Sequence, residues 1–159
     1  MPSEDEWYKA AYYDALTTNF FANPAGSDTQ PVCAAAGATP NTANCGLVVG
    51  DLTATGSYPG SASPYGTFDQ GGNVWEWNDS IIPSFNRGTR GGAYNYGANN
   101  LASSLRPNTG PTLEVSFVGF RVASIPEPAQ PSALPALGPW GIGALLTVLL
   151  LATARADRK

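Results

Sequence analysis

Residues 4–16 place Trp7, Ala11 and Ala15 at helical spacing, with Tyr8 and Tyr12 beside them. Apolar residues three and four apart share one face of a helix, so the pattern predicts an amphipathic helix whose aromatic stripe packs into a core. Its start is marked by Ser3-Glu4-Asp5-Glu6. There the Ser3 hydroxyl is placed to accept from the Glu6 amide while Glu6 reaches back, and the early acids suit the positive end of the helix dipole. From residue 22 to 66 periodicity gives way to Gly, Pro, Ser, Thr, Asn and Ala, which predicts long ordered loops. Alternation with β-branched or aromatic residues returns between turn signals at 89–94 and 117–122, the mark of short strands. The expected class is α+β with little regular secondary structure.

The pattern changes again near Ile125. Residues 125–136 are dense in proline, which favours a stiff polyproline linker over packing. Residues 137–154 then run 18 positions without a charge, and Arg155, Arg158 and Lys159 follow. That length suits a membrane span, and the positive-inside rule keeps the basic end cytoplasmic with residues 1–134 facing outward; a buried core helix is the alternative. The expected organisation is a domain over 1–124, a linker over 125–136, a transmembrane helix over 137–154 and a cytoplasmic tail over 155–159. An outward domain with such an anchor needs a signal peptide, and Met1 followed by Pro-Ser-Glu-Asp-Glu is not one. An upstream half carrying that signal is therefore expected, the alternative being a short tail-anchored cytosolic protein.

Composition narrows the chemistry. The net charge of −4 gives no basic face, so no nucleic-acid partner is expected. The chain has no histidine, which removes the usual general base, zinc ligand and iron triad. Its two cysteines, Cys33 and Cys45, either pair in an exported protein or remain free thiols. The densest site-like stretch is Gly66-Thr67-Phe68-Asp69-Gln70-Gly71-Gly72-Asn73-Val74-Trp75-Glu76-Trp77. Asp69 and Glu76 converge only if the chain between them reverses, and Gly71 and Gly72 supply the positive φ angles for a reversal. Carboxylate and carbonyl oxygens together suit a hard cation such as calcium; a tight turn with solvated acids is the competing reading.

Gly72-Asn73-Val74-Trp75-Glu76-Trp77, then Arg90-Gly91-Gly92-Ala93-Tyr94, then Gly119-Phe120-Arg121-Val122, preceded by Pro2-Ser3-Glu4-Asp5-Glu6-Trp7, form an ordered set. It resembles the signature motifs of the formylglycine-generating enzyme (sulfatase-modifying factor) domain. The resemblance implies a C-type-lectin-like fold. It also implies two structural calcium sites: the Asp69 and Glu76 side chains with the Gly72 and Val74 carbonyls, and Asn44 with the Cys45 carbonyl, Asp51 and the Thr53 carbonyl. The family's two copper-binding catalytic cysteines match Tyr96 and Leu101, so no copper is expected and the oxidation has no thiolate to run on. Arg90 and Arg121 read as buried structural cations paired with acids.

Pro126-Glu127-Pro128, the apolar run and the basic end resemble a PEP-CTERM sorting tail, which implies an exosortase-type processing enzyme and an inner-membrane anchor with the domain periplasmic or sorted onward. Two functions follow as expectations. One is a noncatalytic, calcium-stabilised envelope domain that binds a peptide, glycan or protein. The other is a fragment of a sulfatase-modifying-factor-family oxidoreductase whose catalytic residues lie outside this chain.

Overall fold

Helix α1 spans Glu4–Tyr12 and opens on the expected capping box, with the Ser3 hydroxyl accepting from the Glu6 amide and the Glu6 carboxylate accepting from the Ser3 amide. The computed structural model describes residues 1–82 and 85–124, of which Met1–Ala123 form one compact unit. Trp7, Ala11 and Tyr12 are fully buried and Tyr8 packs beside them, so the predicted stripe forms a core cluster.

The helix ends four residues before the predicted boundary at 16. Tyr13–Asp14 (β1) instead pairs antiparallel with Asn19–Phe20 (β2). Asp14 drives the break: its carboxylate accepts from the Leu16 amide at 2.9 Å and the Thr17 hydroxyl at 2.8 Å, a side-chain turn that competes with helix continuation. Ala15 leaves the stripe, and Leu16 is 95% exposed.

The loops predicted over 22–66 are present, broken by Val32–Cys33 (β3) paired parallel with Thr42–Ala43 (β4). Cys33 and Cys45 are joined as a disulfide with Cα atoms 4.8 Å apart. Closing a short loop this way removes unfolded-chain entropy worth about 3 kcal/mol. Cys45 packs with Ala43 and Leu101 in a second buried cluster, so the bridge ties the loop to the core.

The main sheet has four strands in the order β7-β6-β5-β8, comprising Trp75–Ile82 (β5), Asn86–Arg90 (β6), Asn108–Thr109 (β7) and Val118–Phe120 (β8). β5 pairs antiparallel with β6 and parallel with β8. The register of β5 against β6 shifts between Trp77 and Ile81, where buried Asn78 turns its Oδ1 onto the Ser80 amide and hydroxyl. The strand expected at 89–94 starts earlier and stops at Arg90. Gly91 and Gly92 follow at φ 94° and 77°, angles that end a strand and that side chains resist. The strand expected at 117–122 is confined to Val118–Phe120.

An ion cluster holds α1 against this sheet. Arg90 Nη2 donates to Glu4 Oε1 at 2.7 Å, and its Nη1 donates to the carbonyls of Ser103 and Leu105. Arg106 approaches the same carboxylate through Nε at 2.6 Å and Nη2 at 2.5 Å. Among the described residues no helix is long and apolar enough to cross a membrane. The linker, span and sorting tail expected beyond residue 124 lie outside the described residues.

The Arg106 contact, assisted by Arg90 and opposed by burial, lowers the Glu4 carboxyl from 4.5 to about 2. A depressed folded-state pKa contributes stability that is complete above the unfolded value and is lost as pH falls through the window between the two. Thermal melting should therefore weaken as pH drops from 4.5 toward 2. Glu4→Gln should melt lower at neutral pH and show a shallower acid slope; an identical slope would remove Glu4 from the acid response.

Candidate functional site

β5 turns Glu76 into the interior, where it is 6% exposed. A buried carboxylate needs partners, and Glu76 has three donors: Trp7 Nε1 at 2.5 Å, Arg121 Nε at 2.5 Å and Arg121 Nη2 at 2.6 Å. Arg121 also donates to the carbonyls of Asp69 at 3.1 Å and Phe68 at 3.3 Å. Both arginines read from the sequence as structural cations thus have acids as partners.

The reversal between Asp69 and Glu76 is real, with Gly72 at work in it as expected and Gly71 not. Positive φ falls on Asp69, Gly72 and Asn73. Gly71 is small for another reason: a Cβ there would stand 2.5 Å from Pro24 Cγ and 3.0 Å from Leu101 Cδ2. Gly72 combines both demands, since a Cβ would also meet the Asn44 carbonyl oxygen at 2.4 Å.

The reversal does not bring the two acids onto one partner by their side chains. The Asp69 carboxylate accepts from the Gly56 amide at 2.6 Å, while Glu76 faces Arg121. The Gly72 carbonyl accepts from the Val74 amide at 2.8 Å, and Val74 packs beneath Gly119. A cation at Asp69, Gly72, Val74 and Glu76 would face the Arg121 guanidinium, so this set fits one poorly as arranged.

The other set is drawn together. Asn44 is 1% exposed; its Nδ2 donates to the Asp51 carbonyl at 2.9 Å and the Asn73 Oδ1 at 3.0 Å, with the Thr53 hydroxyl at 3.4 Å. Asn73 completes the knot, accepting from the Thr53 amide at 2.9 Å and donating to the Thr53 carbonyl at 3.1 Å. The Asn44 Oδ1 is buried without a hydrogen-bond partner. An orphaned acceptor costs about 1–3 kcal/mol unless something electropositive meets it, so the Asn44 Oδ1 is open to an oxygen-seeking cation, while the Asp51 and Thr53 carbonyls are taken up by the Asn44 and Asn73 amide groups. The Cys45 carbonyl meanwhile accepts from the Val48 amide at 3.3 Å. Asn73 went unremarked in the sequence reading as a side chain, because only the fold shows that it faces Thr53.

The two positions that match catalytic cysteines have separate fates. Leu101, at the end of the short 3-10 helix Ala98–Leu101, is 0% exposed, and its carbonyl accepts from the Tyr12 hydroxyl at 3.0 Å. A Cβ on Gly92 would stand 2.7 Å from Leu101 Cδ1, so the side chain is walled in. Tyr96 is 37% exposed and lines a cleft of about 460 Å3 together with Trp75, Asn100, Arg106, Asn108 and Phe117. Backbone bonds hold that wall: the Tyr96 and Tyr94 carbonyls accept from the Gly46 and Leu47 amides, each at 2.8 Å, and the Tyr94 amide donates to the Asn73 carbonyl at 3.0 Å.

A single helix pinned by buried ion pairs to a small mixed sheet, with ordered loops forming most of the body, is the formylglycine-generating-enzyme type of fold. Residues 1–125 match the sulfatase-modifying factor enzyme 1-like domain, and the chain belongs to that family. Three solved structures share the fold. They are Treponema denticola variable protein 1 (22% identity, TM-score 0.55), PvdO from Pseudomonas aeruginosa (23%, 0.52) and CarF (23%, 0.53). Each alignment covers 76% of this chain, and respectively 45%, 50% and 44% of the other, so the chain spans half or less of their length. No curated protein matches it.

Removing one partner of a buried ion pair typically costs about 3–5 kcal/mol because the other charge is stranded. Arg121→Met should lose stability on that scale in urea unfolding, and Arg121→Met with Glu76→Gln should recover part of the loss. Additive losses in the double variant would show that the pair is not coupled.

Proposed function

We propose that residues 1–124 are a noncatalytic, calcium-stabilised binding domain of the bacterial envelope, anchored at the membrane or sorted through residues 125–159. The observation that carries the reading is the pair of positions where the family places its thiols. Leu101 is sealed in the core and Tyr96 presents a phenol at the cleft. Cys33 and Cys45, the only cysteines of the chain, are bonded to each other elsewhere in the fold. No thiolate stands at the cleft to hold copper or pass electrons, whereas the cavity itself is retained at a size common for small-ligand sites. A peptide, a glycan or a protein loop are the ligand classes for it.

Calcium finds its better fit at Asn44, Asp51 and Thr53, with the orphaned Asn44 oxygen as the supporting observation. It would supply fixed positive charge and hold the loop at Asn44 to the loop at Asp51–Thr53. Envelope location and membrane anchoring rest on the uncharged run at 137–154 and the basic residues after it. A disulfide accords with an oxidising compartment.

Incubation of the full chain with a Cys-x-Pro-x-Arg peptide, with and without copper, should yield no aldehyde by mass spectrometry; an aldehyde in a preparation free of other such enzymes would overturn the noncatalytic reading. Chelation should lower the melting temperature, because a cation bound only to the folded state at a hundred times its dissociation constant adds about 2.7 kcal/mol. Asp51→Asn should blunt the calcium response more than Glu76→Gln does. Melting indifferent to chelator would remove calcium from the account.

A further inference from the structure

The cleft beside Tyr96 has a lining chemistry that selects among those ligand classes. Its aromatic wall is continuous: Trp75 and Tyr96 meet edge to face with centroids 5.4 Å apart, and Tyr96 and Phe117 do the same at 6.0 Å. Arg106 is the only ionised side chain among the lining residues; the Glu4 carboxylate pairs with it and with Arg90, and Asp5 lies beside the same cluster, so two acids stand against two arginines. The site therefore presents no net charge to attract a phosphate, a carboxylate or a basic segment.

Its polar groups are amides with unused capacity. Asn108 uses its Oδ1 to accept from Asn86 Nδ2 at 2.7 Å, which leaves its own Nδ2 as a donor. Asn100 uses its Nδ2 on the Gly97 carbonyl at 3.2 Å and the Asn99 Oδ1 at 3.1 Å, which leaves its Oδ1 as an acceptor. Free amide donors and acceptors beside an aromatic face complement a ring that carries hydroxyls on its rim and C–H bonds on its faces. The polarised C–H groups meet the negative face of the aromatic ring while the hydroxyls both give and take hydrogen bonds.

An extended peptide would need a free strand edge to extend by main-chain pairing. Both edge strands that reach this cleft are short: β7 has two residues, with Pro107 and Pro111 flanking it, and β8 has three. Very short edges, with proline and its missing N–H beside one of them, offer little for strand addition.

We infer that the Trp75–Tyr96–Phe117 cleft is a binding site for a neutral oligosaccharide, with a pyranose ring stacked on Tyr96 and its hydroxyls held by Asn100 and Asn108. This rests on the reading of the domain as a binder and names its ligand class.

The test is binding of the full chain to an array of immobilised neutral hexose and N-acetylhexosamine oligosaccharides, acidic oligosaccharides and uncharged peptides. Hits are followed in solution by tryptophan fluorescence. The expected result is a neutral oligosaccharide whose binding persists in 1 M salt and weakens about tenfold, or 1.4 kcal/mol, in Tyr96→Ala. Asn108→Ala, an exposed change on the cleft rim, should weaken it without altering the melting temperature. Salt-sensitive binding of acidic sugars alone, or Tyr96-dependent binding of peptides alone, would overturn the neutral-glycan assignment while leaving the domain a binder. Failure of every probe would overturn both.

Discussion

The buried carboxylate of Glu76 is where the domain is held closed. One side chain on β5 receives the indole of Trp7 from the helix and the guanidinium of Arg121 from beyond β8, and that guanidinium reaches on to the carbonyls of Phe68 and Asp69. Helix, turn, central strand and edge strand are thereby referred to one atom group. Three donors on two oxygens satisfy the charge where water cannot, which makes burial of an acid tolerable.

Little else in the domain is regular enough to hold itself. The two buried clusters are small, and the shortest strands contain only two residues. Stability must come from fastening loops, through the Glu4 ion cluster, the Cys33–Cys45 bridge and the amide knot of Asn44 and Asn73. The ion cluster and the amide knot join segments far apart in sequence and the bridge closes a loop of 12 residues, so each removes more chain freedom than a local turn would.

The local features were legible in the chain. The capping box, the Trp7 stripe and the expectation that Arg90 and Arg121 pair with acids all follow from spacing or from charge beside glycine. What the sequence hid was set by partners far away. The helix stops short because Asp14 finds the amides of a turn. Gly71 is small because Leu101 and Pro24 press on it, and Asn73 is a hub because Thr53 lies opposite. The proposed calcium ligands divide on the same ground: Asn44, Asp51 and Thr53 assemble, while Arg121 occupies the face of Glu76, a pairing that motif spacing does not display.

The wall that carries Tyr96 is fastened from beneath by main-chain bonds from Gly46 and Leu47. A frame of that kind is indifferent to which residues it displays. A side chain exchanged on that face leaves the carbonyls and amides beneath with their partners, so the shape of the wall and the chemistry it displays are set by different parts of the chain.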